Sequence, residues 1–419
     1  MRWTIVAAGL AALTAATATT ARLQATPAQA TPAPPPPAAP FTAGWQDGFV
    51  LQSPNGDNRL VIGLTAQTDG RFALDDASPI IDTFIIRKAR PTLSGRVAKY
   101  FEFKVMPDFG NGTASLLDAY FDVRFSSKFR VRNGKDKTPG GYELAIGDAY
   151  LLFPERTLAS SLVPNRDVGF QVMGDLSPRL SYAAGVFNGV PDGTSSTADA
   201  DSNSGKDVAG RVVWQPFRST KGPAGALNGL GFHVGGGVGR ETGTLPSFRT
   251  SSGLSYFSYA TGAAASGQRR RISPAVFYYY KSFGGFAEYA RSTQAISRSS
   301  SDLDMVNQGW GVTGSYVLTG EAASDRGVRP QHSFDPSTGN WGALQVLARY
   351  SRLRVDSAAF AAGFASVTAS QKASAFTIAA NWYPASFLKY YATFERTSFD
   401  GGAARPTENL ILFRAQVAF

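Results

Sequence analysis

The sequence predicts an all-β protein, a transmembrane antiparallel β-barrel of about 16 to 18 strands. Three observations lead to this prediction. From Asn58 onward, stretches of about ten residues alternate between apolar and polar side chains, and turn residues separate them. The last stretch ends the chain on an aromatic residue, Phe419. Beyond residue 20, no apolar run approaches the roughly 20 residues that a membrane helix needs.

The N-terminus has the features of a signal peptide. Arg2 precedes an Ala-rich apolar stretch, and Ala28-Gln29-Ala30 offers small residues where signal peptidase reads them; a cut after Ala25 is the alternative. The Pro/Ala-rich tract that follows favours polyproline geometry, which indicates a stiff spacer or, alternatively, a ligand for a proline-binding domain. The predicted organisation is a signal peptide at residues 1–30, a linker at 31–44 and a barrel at 45–419.

The composition narrows the class of protein. The chain has no Cys, which excludes disulfide frameworks, thiolate metal sites and a lipid-modified N-terminal Cys. Its 44 Gly and 24 Pro favour short strands and turns over helices. Lys and Arg number 41 against 31 acids, and loss of Arg2 and Arg22 with the signal peptide would leave 39 bases. This excess indicates either solubility alone or anionic partners such as nucleic acid, lipopolysaccharide or small anions.

The strand pattern is clearest in residues 116–125. The apolar face carries Leu117, Ala119, Phe121, Val123 and Phe125, and the polar face carries Asp118, Tyr120, Asp122 and Arg124. A soluble β-sandwich shows the same alternation, but charges of both signs on the polar face suit a water-filled lumen. Aromatic residues near strand ends also suit an interfacial girdle. The predicted girdle includes Tyr278, Tyr279, Tyr280, Trp382, Tyr383, Tyr390 and Tyr391.

The final strand, residues 408–419, predicts a partner and a location. Phe413 and Phe419 belong to its apolar row, and Arg414 lies on the opposite row. An aromatic C-terminal residue on such a strand resembles the signal that barrel-assembly machinery reads in Gram-negative outer-membrane proteins. We therefore expect this machinery as a partner and the cell outer membrane as the location.

The connections between strands predict the two ends of the barrel. Residues 271–292 and 373–400 have the form of hairpins with short turns, which are typical of the periplasmic end. The Ser/Gly/Asp-rich stretches 191–207, 297–307 and 321–340 are accordingly predicted as extracellular loops.

The sequence offers no signature of an enzyme. His233 and His332 are its only histidines and have no metal-ligand spacing, and no Gly-x-Ser-x-Gly, P-loop or dinucleotide fingerprint occurs. The run Gly235-Gly-Gly237 indicates room for close packing in a strand or bulge. We therefore expect no catalytic site, no metal and no cofactor.

Several short blocks together carry a family resemblance. In order they are Ile86-Arg-Lys-Ala-Arg90, Gly134-Lys-Asp-Lys-Thr-Pro-Gly-Gly-Tyr-Glu143, Arg166-Asp-Val-Gly-Phe-Gln171, Ala184-Gly-Val-Phe-Asn-Gly189, Ala209-Gly-Arg-Val212, Tyr316-Val-Leu-Thr-Gly-Glu321, Ala348-Arg-Tyr-Ser-Arg-Leu353, Ala380-Asn-Trp-Tyr383 and Arg414-Ala-Gln-Val-Ala-Phe419. In this order they resemble the phosphate-selective porin O and P family of Gram-negative outer membranes, over nearly the whole mature chain.

The resemblance implies a 16-stranded barrel, usually trimeric, whose third loop folds inward to narrow the pore. It also implies an arginine ladder that leads to a lysine-rich constriction passing phosphate. This chain departs from the family in two places. Asp136 and Gly140 stand at positions that are usually aromatic, and Arg87 with Lys88 stands where the family often has two arginines.

Twelve basic residues are candidates for lining the pore and binding anions, because Arg and Lys offset the hydration that an anion loses. Strand parity predicts lumen positions for Lys88, Arg90, Arg124, Arg130, Arg132, Arg211, Arg349 and Arg414. The constriction loop, predicted at about residues 135–166, contributes Lys135, Lys137, Arg156 and Arg166. Pro91 interrupts ladder pairing, which can change the parity of Lys88 and Arg90. As the alternative for each base, lumen acids are available as ion-pair partners: Asp108, Asp118, Asp122, Glu143, Asp148 and Glu155.

Three functions are compatible with the sequence. The first is an outer-membrane porin for passive diffusion of small anions, with phosphate as the candidate. The second is a general diffusion porin in which the same bases pair with acids. The third is a secreted soluble β-protein that binds anionic glycans. The first predicts small anions, outer-membrane lipid, lipopolysaccharide and two further copies of the chain as partners, and no nucleic acid.

Overall fold

The computed structural model describes residues 40–74, 79–196, 201 and 203–419. The predicted signal peptide and residues 31–39 of the predicted linker lie outside the described residues. The first strand begins at Thr42, so residues 42–44, which the sequence analysis assigned to the linker, belong to the sheet.

The described residues are dominated by strands. The strands are β1 (Thr42–Trp45), β2 (Phe49–Gln52), β3 (Arg59–Ala73), β4 (Thr83–Val97), β5 (Phe101–Asp108), β6 (Ser115–Arg124), β7 (Arg130–Lys137), β8 (Arg166–Ser177), β9 (Leu180–Phe187), β10 (Asp207–Trp214), β11 (Gly231–Gly243), β12 (Phe248–Arg249), β13 (Ser255–Phe257), β14 (Ala264–Tyr280), β15 (Phe283–Arg298), β16 (Ser301–Val317), β17 (Ala343–Arg354), β18 (Ser370–Ala385), β19 (Leu388–Gly402) and β20 (Glu408–Ala418). The helices are α1 (Tyr142–Ala145) and α2 (Ser357–Ala361), with 3₁₀ turns at Gly110–Gly112, Asp148–Tyr150, Leu158–Leu162 and Pro223–Gly229. Within the described ranges, no helix has both the length and the apolar character to cross a membrane.

The main sheet closes into a barrel. Strands β3 to β11 and β14 to β20 pair antiparallel with their neighbours in chain order, and β20 returns to β3 through pairs from Leu410–Ala73 to Ala418–Thr65. The sheet holds 18 strands, of which the hairpin β1–β2 lies outside the ring, which leaves sixteen in the barrel. The prediction of an antiparallel barrel of about 16 strands is confirmed.

Side chains alternate between the two faces of the wall as the sequence predicted. In β6, Phe121 is 54% exposed on the outside, whereas Asp118 and Asp122 are buried on the lumen side. The predicted aromatic girdle is only half correct, because consecutive residues of a strand point to opposite faces. The outward members are Tyr278, Tyr280, Trp382 and Tyr390, whereas Tyr279, Tyr383 and Tyr391 point into the lumen.

The two ends of the barrel carry different connections. Short turns at residues 281–282 and 386–387 confirm the two predicted hairpins and lie at the end that holds the C-terminus. The long connection at 188–206 lies at the opposite end, as predicted. We call these the short-turn end and the long-loop end.

The predictions for two of the three extracellular loops are wrong. Residues 297–307 do not form a loop, because β15 and β16 extend through them and leave a turn at 299–300. The connection 318–342, which contains the predicted loop 321–340, lies at the short-turn end. There Ala323 N–H donates to the Lys281 carbonyl at 2.7 Å, and Phe334 N–H donates to the Pro384 carbonyl at 2.7 Å.

An apolar core fills part of the lumen toward the long-loop end. The connections 138–165, 244–263 and 355–369 fold inward and pack on the inner faces of β15 to β18. The buried members are Leu144, Leu158, Ala159, Leu162, Val163, Phe248, Tyr256, Phe257, Ala290, Ile296, Met305, Leu353, Val355, Ala359, Phe364, Ala369, Ala373 and Ala375. The resemblance implied a single inward loop, which is confirmed at 138–165, and the structure adds two more. They follow from the apolar inner rows of these strands, which gain stability when they are removed from water.

Candidate functional site

The inner loop, residues 138–165, crosses the lumen and is fixed by side chains of the barrel wall. On one side, strand residues donate to its backbone carbonyls: Gln416 to Ala149 (2.9 Å), Lys389 to Leu151 (2.8 Å), Asn381 to Leu152 (2.8 Å) and Arg349 to Glu155 (2.7 Å). On another side, the Glu288 carboxylate accepts the N–H groups of Tyr142 at 2.8 Å and Glu143 at 3.0 Å. A loop whose polar backbone is satisfied in this way can lie inside the barrel.

The glycine run of β11 makes room for the inner loop. A Cβ atom at Gly235 would lie 1.6 Å from the Gly140 carbonyl oxygen, so only glycine allows this approach. At Gly140 itself, a Cβ atom would lie 2.6 Å from a methyl group of Val163. These distances confirm the interpretation of Gly235-Gly-Gly237 as close packing, and they leave little room for a side chain at position 140.

Asp148 fixes the inner loop to a cluster of bases. Its carboxylate lies 3.2 Å from Lys88 Nζ and 2.6 Å from Arg156 Nη2, and it also contacts Arg90. Burial raises the pKa of the Asp148 carboxyl, but the positive charges of Lys88, Arg156 and Arg90 outweigh burial and hold this pKa well below its usual range. The carboxylate is therefore ionised at neutral pH and neutralises part of this predicted anion site.

Glu155 makes the second such cluster. Its carboxylate lies 3.0 Å from Arg71 Nη2, 2.9 Å from Arg87 Nε and 3.0 Å from Arg414 Nη2. Burial raises the pKa of the Glu155 carboxyl, but the charges of Arg87, Arg414 and Arg71 hold it well below its usual range. Asp69 is the other acid of this cluster and lies 2.6 Å from Arg414 Nε.

Most of the remaining predicted bases also have acidic partners. The pairs are Arg90–Asp108 (2.7 Å), Arg124–Glu102 (3.3 Å), Arg130–Glu102 (3.4 Å), Arg132–Asp122 (2.7 Å), Arg166–Asp118 (2.6 Å) and Arg349–Glu395 (3.1 Å). Asp136, which the sequence analysis named with Gly140 as a departure from the family pattern, forms an ion pair with Arg132. Ion pairing with an acid, the alternative proposed for each base in the sequence analysis, therefore accounts for most of the predicted bases.

The two lysines of the predicted constriction differ in position. The inner loop begins at 138, so Lys135 and Lys137 are still in β7. Lys137 lines the lumen and donates to the Ile146 carbonyl at 2.7 Å. Lys135 is buried opposite Ala119 in the strand register and lines no lumen cavity described below.

Arg211 differs from the other predicted bases. It lies on the lumen side of β10, and within the described residues its guanidinium has neither an ion pair nor a hydrogen bond. The charges that act on its guanidinium are those of Asp136 and Arg132. Arg211 is therefore a lumen cation that no acid of the described chain neutralises directly.

The inner loop separates two lumen cavities. The short-turn cavity, of about 460 Å³, extends to the C-terminus and to the connection 318–342. Its charged lining comprises ten bases and four acids: Arg90, Lys104, Arg130, Arg132, Lys137, Arg166, Arg211, Arg326, Arg329 and Lys389, with Asp47, Asp118, Asp136 and Asp148. The long-loop cavity, of about 500 Å³, is lined by Arg71, Arg87, Arg156, Arg249 and Glu155. Both cavities carry an excess of positive charge.

Strand parity missed several of these bases. Arg87 is an extra residue in β4, because Gln67 pairs with Lys88 while Thr68 pairs with Ile86, and this bulge lets Arg87 and Lys88 both reach the lumen. Arg326 and Arg329 were missed because their connection was assigned to the opposite end. Lys389 shares parity with Tyr391 in β19, and the sequence analysis had placed Tyr391 in the outer girdle. In the part of the chain that the structure describes, no cluster of His, Asp or Glu could hold a metal ion.

Comparisons with known proteins agree with this geometry. A family model described as phosphate-selective porin O and P matches residues 63–419. No curated protein matches the sequence.

Solved structures show the same fold at low sequence identity. The outer membrane channel DcaP of Acinetobacter baumannii is 12% identical with a TM-score of 0.56, over 88% of this chain and 99% of that one. An anion-selective porin from Comamonas acidovorans is 13% identical with a TM-score of 0.52, over 86% and 100%. The trimer form of OmpT from Vibrio cholerae is 12% identical with a TM-score of 0.51, over 86% and 99%.

Proposed function

We propose, from the premise that this chain belongs to the phosphate-selective porin O and P family, that it is a passive channel for small anions, with phosphate as the candidate solute. Its family and its closed barrel make it an outer-membrane porin of Gram-negative bacteria, and they point to a channel rather than an enzyme. The observation that carries the anion proposal is the lining of the short-turn cavity, in which ten bases face four acids.

This lining suits anion passage for a physical reason. An anion that enters the lumen loses part of its hydration, and the surrounding positive charge offsets that loss. Passage also requires that the anion can leave. The partial neutralisation by Asp118, Asp136 and Asp148 keeps binding weak, while Arg211 and Arg326 remain available as cations that are not paired within the described residues. The proposal is therefore weak binding at a series of cations.

A general diffusion porin remains the second candidate, and one observation favours it. At least nine of the twelve predicted bases lie within ion-pair distance of an acid: Lys88, Arg90, Arg124, Arg130, Arg132, Arg156, Arg166, Arg349 and Arg414. In this case the paired bases stabilise the barrel wall and hold the inner loop. The channel would then discriminate only mildly between anions and cations. The soluble glycan-binding hypothesis is not retained, because the chain belongs to a porin family and forms a closed barrel with an apolar outer face.

Reconstitution into planar bilayers tests the anion proposal. In a KCl gradient, the reversal potential should report a higher permeability for chloride than for potassium, and added phosphate should reduce the chloride current. A cation-selective or unselective channel would refute anion selectivity. Anion selectivity with a chloride current that phosphate leaves unchanged would refute phosphate alone.

We propose further assignments, each with its own test. Residues 1–30 act as a signal peptide, which N-terminal sequencing of the mature protein would check. A homotrimer finds support in the trimer form of OmpT from Vibrio cholerae, and the mass of the native protein in detergent would test it. The barrel-assembly machinery recognises the C-terminal strand that ends on Phe419, and lipopolysaccharide contacts the outer face of the barrel. Crosslinking in cells would test both contacts.

A further inference from the structure

The Glu155 cluster joins one loop carboxylate to three strand guanidiniums. Arg71, Arg87 and Arg414 belong to β3, β4 and β20, and each has a nitrogen within 3.0 Å of a Glu155 oxygen. The bulge of β4 is what brings Arg87 into this group. The three bases are thus positioned by the rigid wall, and their common acid comes from the inner loop.

The two acids of the cluster have different positions. Asp69 is on β3, its side chain is fully buried, and it binds both Arg414 and Arg71. The side chain of Glu155 is 23% exposed, and with Arg87 it lines the long-loop cavity. Asp69 is therefore a permanent counter-ion, whereas Glu155 lies at the open side of the cluster. Without Glu155, three positive charges would face a single negative charge.

A carboxylate that receives several guanidinium N–H groups has the chemistry of a bound oxyanion. We propose that Glu155 occupies an oxyanion site of the channel, so that its carboxylate acts as a tethered stand-in for a small oxyanion such as phosphate or sulfate. An oxyanion from the long-loop cavity displaces this carboxylate from Arg87 and Arg71, and the carboxylate returns as the ion leaves. This competition keeps oxyanion binding weak enough for passage. The inference rests on the proposed function as an anion channel.

The exchange requires movement of one side chain only. The backbone on either side of the Glu155 side chain is fixed, because Arg349 donates to the Glu155 carbonyl at 2.7 Å and Arg414 donates to the Pro154 carbonyl. The long-loop cavity, of about 500 Å³, gives the carboxylate space to turn away. Arg156 and Arg249 line the same cavity. Their positive charges would bind the displaced Glu155 carboxylate or attract the incoming oxyanion.

The experiment compares Glu155→Gln with the wild-type channel in planar bilayers. Inorganic phosphate is added on the side of the long-loop cavity, and the concentration that halves the chloride current is measured. Loss of the competing charge should lower this concentration about tenfold. Glu155→Asp, whose shorter carboxylate reaches fewer of the arginines, should give an intermediate value. Arg87→Ala is then added to the Glu155→Gln variant. If the double variant returns to the wild-type half-blocking concentration, the effect arises in this cluster.

A matched control separates this effect from loosening of the inner loop. Glu143 is a buried acid of the same loop, and Thr157 and Ser160, not bases, hold its carboxylate. Glu143→Gln should therefore leave the half-blocking concentration unchanged. Equal changes in Glu143→Gln and Glu155→Gln would overturn the inference.

A binding measurement keeps the two proposals distinguishable. In calorimetric titrations of phosphate into the protein in detergent, Glu155→Gln should bind phosphate more tightly than wild type does. This is the order that the half-blocking concentrations should also show. If the wild-type channel shows no preference for anions, the proposed function fails. If it prefers anions but Glu155→Gln matches wild type in both current block and calorimetry, only the role of Glu155 fails.

Discussion

At the scale of single residues, the lumen contains two kinds of base. Those with an acidic partner, such as Arg166 with Asp118 at 2.6 Å, are neutralised and hold the wall or the inner loop. Arg211 has no partner of this kind within the described residues, although it lines the same cavity. Because only unneutralised charge acts on a passing ion at full strength, these two kinds should respond differently to substitution.

Charge reversal at Arg211 tests this difference. Arg211→Glu should lower the ratio of anion to cation permeability several-fold, because it places a negative charge in the short-turn cavity. It should change the thermal stability little, since no ion pair is broken. Arg218→Glu is the control, because Arg218 is an exposed base of the short-turn end outside the cavity. Equal permeability ratios for the two variants would contradict the role of Arg211.

The two acids of the inner loop predict a response to pH. The pKa values of Asp148 and Glu155 are depressed below the ordinary values of 3.8 and 4.5, so their stabilising contribution is complete above those values. It is lost only as the pH falls further, through the depressed values. Release of the loop through these two acids should therefore change the single-channel conductance only below about pH 4.5. A midpoint near pH 6 would argue against this origin.

At the scale of elements, the inner loop depends on the surface that β11 offers it. The side chains on β17 to β20 donate hydrogen bonds to the loop, whereas Gly140 at the start of the loop packs against β11. Gly235 permits this, since its missing side chain leaves the space that the Gly140 carbonyl occupies. Loop position and strand sequence are therefore coupled through one backbone contact.

Substitution of Gly235 by Ala should displace the inner loop, because the added methyl group would overlap the Gly140 carbonyl. We expect a loss of about 1–3 kcal/mol in stability and a changed single-channel conductance. The unfolding temperature, followed by heat-dependent gel mobility, and bilayer recordings measure the two effects. Gly314→Ala is the matched control, because a Cβ atom there meets nothing within 4 Å. A similar effect of both substitutions would point to strand propensity instead.

At the scale of the whole molecule, the N-terminal hairpin completes the closure of the barrel. Strand β20 pairs with β3 along residues 65–73, and β2 continues along the same edge of β3 at residues 59–62. Between them, the Leu64 and Phe419 backbones exchange two hydrogen bonds of 2.9 Å. The Phe419 ring lies 5.1 Å from Trp45 and 6.0 Å from Phe49. The hairpin thus covers an edge that β20 alone leaves unpaired.

Removal of both hairpin rings should weaken this closure. Trp45→Ala with Phe49→Ala should lower the unfolding temperature in detergent, because each aromatic pair with Phe419 contributes about 0.5–1.5 kcal/mol. The barrel should still form, since the β20–β3 pairing is intact. Phe125→Ala with Phe129→Ala removes a comparable aromatic pair from the turn between β6 and β7 and provides the control. Equal losses in the two double variants would show that the closure has no special role.

The sequence by itself determined the class of fold and the candidate lumen bases. Alternation with a period of two depends only on neighbouring residues, so it identified the β6 faces and the C-terminal strand on Phe419 correctly. Parity also placed Arg90, Arg132 and Arg211 on the lumen side, as the structure does.

Only the tertiary structure decided which bases are neutralised and where the loops lie. The bulge at Arg87, the glycine contact beneath the inner loop and the position of 318–342 arise from pairing between residues far apart in the chain. The same is true of the ion pairs of Asp148 and Glu155, whose partners lie on strands β3, β4 and β20 as well as in the loop itself. Parity gives the direction of a side chain but not its partner, because the partner depends on how the barrel closes.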